Sequence, residues 1–377
     1  MMRVAIVGCG FVADYYVRTL PVHPELELVG VMDRDTERSE RFARYYSLSR
    51  YDSLDELLTD QRVEIVLNLT NPASHYDVSK RALLAGKHVY SEKPMAMTFG
   101  EAKELVDLAA SKQLQISSAP CSLLGETAQT MWKALREQRV GPVRLVYAEL
   151  DDGLVSAMPY KKWLSESGTP WPYQDEFEVG CTLEHAGYYL TWLAAFFGPV
   201  ESVTAFSSCL IPDKNTGAPT ANNTPDFSVA CLKFASGVVA RLTCSIVAPH
   251  DHGLTIVGDQ GIITTKDCWY YRSLVYIRRL VTIRRKTFLL PWKTKYPMVK
   301  SGLLWRYKHK GSQQMDFARG VAEMAAAIKE GRTSRLSPRF SLHVLEVTLA
   351  IQNALEKSTT YQVTTTFDPI EPMPWAK

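Results

Sequence analysis

The stretch Val4-Ala5-Ile6-Val7-Gly8-Cys9-Gly10-Phe11-Val12-Ala13 decides the fold. Four apolar residues make a short buried strand, and a G-x-G-x-x-A turn follows at once, opening a helix expected over residues 12–20. Gly8 permits the tight turn, Gly10 lets the backbone approach a phosphate, and Ala13 lets the helix sit close to the strand. With Phe11 and Val12 in its first turn, the helix N-terminus then offers amides to a pyrophosphate. Asp33 ends the next apolar run (26–32), twenty residues past Ala13. A carboxylate there accepts both adenosine ribose hydroxyls and repels a 2′-phosphate, so NAD is expected. Arg34 beside it can hold that phosphate, which keeps NADP open.

Outward from this turn, apolar runs alternate with amphipathic stretches as far as residue 118. Strands are expected at 26–32, 50–51, 65–69, 88–91 and 114–118, with helices at 36–46, 54–58, 74–85 and 99–112. That alternation predicts an α/β Rossmann fold on a parallel sheet over residues 1–120. Past Pro120 the pattern changes. Helices at 127–137 and 181–197 flank a strand at 143–150 and a Trp- and Pro-rich loop at 159–173. Strands at 200–210, 227–234, 238–246, 254–257, 262–265 and 273–277 then cluster together. Residues 121–377 are therefore expected to form an α+β domain with a large, mostly antiparallel open sheet. Helices at 315–328 and 340–356 should pack back across both domains.

The strand at 88–91 runs into Glu92-Lys93-Pro94. With Leu67-Asn68-Leu69-Thr70-Asn71-Pro72-Ala73-Ser74-His75 and Ala85-Gly86-Lys87-His88-Val89, it resembles the Gfo/Idh/MocA oxidoreductase family. The likeness extends to Phe317-Ala318-Arg319-Gly320-Val321 and Leu342-His343-Val344-Leu345-Glu346. The resemblance implies that Thr70, Asn71, Pro72 and His75 border the nicotinamide side of the coenzyme. It also implies that Lys93 lies beside the nicotinamide and the reacting carbinol, where a fixed cation stabilises a developing alkoxide. Taken alone, His75 also suits plain packing at a helix start. Glu92 is expected to orient the Lys93 ammonium.

Many members of that family carry D-x-x-x-H in the second domain, with the histidine as proton acceptor. Aligned on Gly198, this chain has Glu184 and Tyr188 at those places, i and i+4 on one helix face. A tyrosine there resembles the branch with glucose-fructose oxidoreductase and dihydrodiol dehydrogenase. It can serve as base if its pKa falls from about 10, and the Lys93 ammonium acts in that direction. His185 competes for the role, one residue after Glu184 and so about 100° round the helix from it. Trp163, Trp171 and Tyr173 suit either an apolar wall for a sugar ring or a structural loop, and Pro120 sits where the chain crosses to the substrate cleft.

Composition sets outer limits. A chain of 377 residues exceeds what one core fills, and its composition matches a soluble globular protein. It enters a strand at once, so no secretory leader is expected, and no apolar run approaches a membrane span. The seven cysteines lack C-x-x-C spacing, so neither a disulfide framework nor a metal site is expected, and a reducing cytoplasm is. Net charge is +3, yet residues 268–310 hold twelve Lys or Arg and no Asp or Glu, interleaved with aromatics. That segment suits a solvated face, an anionic sugar substrate linked to a nucleotide or lipid, or peripheral contact with an acidic membrane. Nucleic acid ranks last, since no binding module is present. The expected activity is hydride transfer between NAD(P) and a secondary hydroxyl or ketone of a sugar, nucleotide sugar or cyclitol, in a homo-oligomer (dimer or tetramer) paired through the open sheet. The alternatives are an enzyme that retains NAD and oxidises its substrate transiently for glycoside cleavage or epimerisation, and a non-catalytic nucleotide-binding regulator.

Overall fold

The computed structural model describes residues 1–217, 224–303, 314–355 and 359–377. Its first part runs β1 (Met2–Val7), α1 (Ala13–Thr19), β2 (Leu26–Met32), α2 (Thr36–Tyr46), α3 (Leu54–Thr59) and β3 (Ile65–Asn68). It continues through α4 (His75–Leu84), β4 (His88–Ser91), α5 (Phe99–Ser111) and β5 (Ile116–Ser118). The five strands form one parallel sheet in the order β2-β1-β3-β4-β5. Arg50 adds a parallel bridge outside Val31, where the short strand was expected. The order reverses between β1 and β3, and their carboxyl ends open the crevice in which such sheets bind ligands. Ala5, Ile6, Ile65 and Leu67 are fully buried, as helices on both faces require.

Next come α6 (Glu126–Arg136), β6 (Val143–Asp151), α7 (Tyr173–Val179), α8 (Cys181–Phe197) and β7 (Val200–Ser208). Strands β8 (Phe227–Phe234), β9 (Val239–Ser245), β10 (Leu254–Gly258), β11 (Gly261–Thr265), β12 (Tyr276–Ile283), β13 (Lys286–Leu289) and β14 (Thr294–Lys295) follow. The chain closes with α9 (Arg319–Glu330), α10 (Pro338–Gln352) and β15 (Thr360–Gln362). Ten strands make the second sheet, antiparallel except where β6 meets β9. Along β8 buried residues alternate with open ones, since α8 covers one face and leaves the other bare.

Three elements differ from the sequence reading. The last strand, expected at 273–277, is β12, and it forms a hairpin with β13 that pairs Leu280 with Leu289 and Val281 with Phe288. The dense basic residues of that stretch masked its strand pattern. Helix α9 starts at Arg319 rather than 315 because Met315 and Phe317 are turned into the wall of the interdomain cleft. The loop expected through residue 173 passes at once into α7. Helix α10 begins on a Ser337 cap, whose hydroxyl accepts from the Phe340 amide, and the expected end at 356 lies outside the described residues.

The two sheets are tied by buried polar groups. Arg319 donates to Glu126 and Asp316, and Asp316 also meets His23 at 2.9 Å. Ser341 of α10 accepts from the Ser118 amide at the end of β5. Among the described residues, no helix is long and apolar enough to cross a membrane.

Candidate active site

A cleft of about 680 Å³ runs from the glycine turn, past the ends of β1 and β3, to α7 and α8. Gly8 sits at φ +102°, and a Cβ there would lie 2.5 Å from the Leu69 carbonyl oxygen, so only glycine fits. Gly10 faces open space, with Leu69 O its nearest neighbour at 4.0 Å. Among the described residues, nothing accepts from the amides of Gly10, Phe11 or Val12, while Ala13 is wholly buried. Unpaired amides beside an open approach are what a pyrophosphate requires. At the far end Asp33 accepts from the amides of Cys9 (2.8 Å) and Asp35 (2.9 Å). Arg34 lines the same mouth, as does Arg38, whose Nη1 is 3.5 Å from Asp33. These residues fit a nicotinamide dinucleotide, with or without a 2′-phosphate.

Thr70, Asn71, Pro72 and His75 all line the cleft. His75 is buried, with Nδ1 2.6 Å from Pro94 O and Nε2 2.9 Å from Thr70 O. The ring therefore straps the loop after β3 to the turn that carries Lys93. Glu92 does not hold the ammonium. Its carboxylate accepts from the Tyr16 hydroxyl (2.6 Å) and from the Lys93 amide (3.1 Å), so it fixes the lysine's backbone.

The ammonium is held instead from the other half of the molecule, by an ion pair with buried Glu184 of α8. Burial works against the Lys93 charge, but the Glu184 carboxylate outweighs burial and keeps the group charged. Glu184 is likewise opposed by burial and held ionised by Lys93. Glu176 is pushed far above the carboxylate range, by burial first and then by the Glu184 charge. The site thus holds one ammonium, one carboxylate and one carboxylic acid able to donate to that carboxylate.

Tyr188 lines the cleft beside this pair, and its ring packs on Trp269 at 5.3 Å. The sequence reading looked to Lys93 to lower the phenol. Lys93 does pull it down, but burial dominates and the net shift is upward from 10. His185, the rival base, is not among the residues that line the cleft. Its Nδ1 donates to Cys181 O at 3.0 Å, and its Nε2 faces Asp152 at 3.6 Å. Of the two candidates, only Tyr188 faces the cleft, while His185 is turned toward Cys181 O and Asp152.

The remaining candidates divide. Trp171 and Tyr173 line the cleft, whereas Trp163 backs Trp171 from behind at 5.0 Å. Pro120 packs against Gly187 of α8, outside the cleft. None of the described cations between 272 and 300 lines the cleft either, so the anionic-substrate reading gains no support from their placement. Arg306, Lys308, Lys310 and Trp305 lie outside the described residues. Sequence reasoning missed Glu176, Arg38, Tyr15 and the cleft role of Trp269. Glu176 gave no signal because Gly180, at φ +93°, breaks the helix between it and Glu184. Arg38 did give a signal, a cation in the first turn of α2, five residues after Asp33.

Open turn amides, a ribose-facing carboxylate and a cleft-facing ammonium beside a phenol define an NAD(P)-dependent oxidoreductase. Residues 2–119 match the family model for the oxidoreductase family with an NAD-binding Rossmann fold, and residues 128–264 match the GFO/IDH/MocA C-terminal domain. The chain belongs to the Gfo/Idh/MocA family. It is 29% identical to an uncharacterised oxidoreductase of Synechocystis sp. over 274 residues, 69% of this chain and 70% of that one. It is 25% identical to trans-1,2-dihydrobenzene-1,2-diol dehydrogenase of Sus scrofa over 296 residues, 77% of this chain and 80% of the other. In fold it is similar to UDP-N-acetylglucosamine 3-dehydrogenase from Acidithiobacillus ferrooxidans, with TM-score 0.69, 18% identity, and 94% and 98% of the two chains covered.

Proposed function

We propose that this protein transfers hydride between NAD(P) and a secondary hydroxyl or ketone of a sugar, nucleotide sugar or cyclitol. In this reading residues 1–120 hold the coenzyme and 121–377 the substrate. The observation that carries it is the Lys93 ammonium, held by Glu184 and facing the cleft next to Tyr188. When bound, the nicotinamide ring supplies the hydride acceptor or donor. Lys93 stabilises negative charge on the substrate oxygen as the carbinol proton leaves. Tyr188 moves that proton: as a neutral phenol it gives one to a ketone, and as a phenolate it takes one from an alcohol. Glu184 aims the ammonium, and Glu176 keeps a proton on the carboxylate pair. Trp171 and Tyr173 offer apolar faces of the kind a sugar ring stacks on. Relatives that act on a diol and on a nucleotide sugar agree with a vicinal hydroxyl substrate. In the same reading a homo-oligomer pairs through the bare face of the ten-stranded sheet, where the 42% exposure of Phe206 supports it.

The test is coenzyme reduction by a panel of polyols, sugars and nucleotide sugars, with both coenzymes, for wild type and Lys93→Ala. Wild type should reduce a coenzyme with one of these classes, and Lys93→Ala should be about 10²–10³-fold slower while still binding coenzyme. No reduction with any CH–OH compound, or an unchanged Lys93→Ala rate, would overturn the reading.

A further inference from the structure

Behind Trp269, on the side away from the coenzyme, lies a cluster that the proposed reaction does not use. Asp152 follows β6, His250 and His252 sit in the turn between β9 and β10, and His185 reaches in from α8. Asp152 Oδ1 is 3.6 Å from His252 Nε2 and 3.7 Å from His250 Nδ1, and its Oδ2 is 3.6 Å from His185 Nε2. These separations are too long for N–H···O hydrogen bonds. They approach the edge of a ligand tetrahedron, about 3.3–3.4 Å when metal–ligand bonds are about 2.0–2.1 Å.

Two further observations point to a cation. The His252 side chain is 0% exposed, yet neither ring nitrogen has a hydrogen-bond partner among the described residues. Such an orphaned buried group is costly and needs an occupant. His185 Nδ1 is bound to Cys181 O, and its Nε2 faces the other Asp152 oxygen at 3.6 Å. A cation among Asp152, His250 and His252 gives the buried His252 ring the partner it lacks. Asp267 Oδ1 lies 3.8 Å from His252 Nδ1, on the side from which a carboxylate orients a ligating imidazole. The His250 side chain is 52% exposed and gives the ion a way in.

We propose that Asp152, His250 and His252 bind a divalent zinc-class ion, with His185 flanking the other carboxylate oxygen outside the ligand set. The Trp269 ring is 4.4 Å from His252 and 5.3 Å from Tyr188, so the ion braces the wall on which the tyrosine rests. The seven scattered cysteines hid this site, because its donors are imidazoles and a carboxylate in an H-x-H turn.

The test strips the full chain with a chelator and titrates it with Zn²⁺ against a competing chromophore, and with Co²⁺ by visible absorbance. Wild type should take one Zn²⁺ per chain with a Kd at or below about 1 μM. It should also show the intense bands of tetrahedral Co²⁺ and a Tm rise that EDTA reverses. His250→Ala, at a half-exposed position the fold tolerates, should weaken Zn²⁺ at least tenfold and abolish the Tm rise, as should Asp152→Asn. Lys93→Ala should bind Zn²⁺ like wild type, which separates this site from the catalytic reading. Absence of Co²⁺ bands and of Zn²⁺ stabilisation in wild type would overturn the proposal, as would undiminished binding in both His250→Ala and Asp152→Asn.

Discussion

The trio Lys93, Glu184 and Glu176 gives a sharp expectation for Glu184→Gln. Removing one partner of a buried ion pair costs about 3–5 kcal/mol, because the other charge is left uncompensated. Coulomb's law gives a similar scale, about 4 kcal/mol at ~4 Å with an effective dielectric of about 20. Here a reserve carboxyl stands by. Glu176 keeps its proton through burial and through the Glu184 charge, so removing that charge lets it ionise and become the new counter-ion. Glu184→Gln should therefore cost only about 1–2 kcal/mol, and Glu176→Gln, which is spared the cost of keeping a carboxyl protonated, should cost nothing or stabilise at neutral pH, while the double variant loses the full ~3–5 kcal/mol. Urea unfolding followed by tryptophan fluorescence, with the slope unchanged, supplies the cycle. A coupling of about 1.5 kcal/mol or more is expected, and simple additivity would refute the shared counter-ion. The pH dependence gives a second reading. Above the ordinary carboxylate value of 4.5 the unfolded chain releases the Glu176 proton and the folded chain keeps it. Wild type should then lose stability relative to Glu176→Gln as pH rises from 4.5, by up to about 1.4 kcal/mol per unit until the folded group titrates.

Tyr188→Phe should lower kcat by about 10²–10⁴-fold in both directions. Because burial raises the wild-type phenol, kcat/KM for oxidation should climb about tenfold per unit between about pH 7 and 9, while reduction stays level. A Tyr188→Phe enzyme that keeps that climb would assign the proton to another group. The two glycines of the turn should separate in their effects. Gly8→Ala combines a left-handed backbone with a 2.5 Å clash against Leu69 O and should destabilise the fold by about 2 kcal/mol or more, read as a fall in Tm. Gly10→Ala meets open space, so its Tm should hold while coenzyme affinity, measured by fluorescence titration, falls about tenfold or more.

What the sequence could disclose, and what it could not, follows from how far each interaction reaches along the chain. Gly8, Gly10, Ala13 and Asp33 act within one βαβ unit, where spacing along the chain is also spacing in space, and all four stand where the pattern put them. Helix α8 was legible to the residue, since the positive-φ glycines Gly180 and Gly198 bound a run that is apolar nearly all round. The motif at 317–321 was legible as a pattern but not as a cause, which is the buried Arg319 fastened between Glu126 and Asp316. The geometry of the candidate site belongs to pairs that no local pattern joins. Lys93 meets Glu184 across 91 residues, and the register of α8 is set by Trp192, Tyr189 and Leu193 in the core. That register decides which of the two candidates lines the cleft. Tyr188 and His185 differ by three positions on one helix, so the sequence could offer both and only the packing of the buried face could choose. The same packing explains why the expected acidic shift of Tyr188 reversed. One nearby ammonium competes with the desolvation of a whole phenol, and with the ring buried the desolvation is the larger effect.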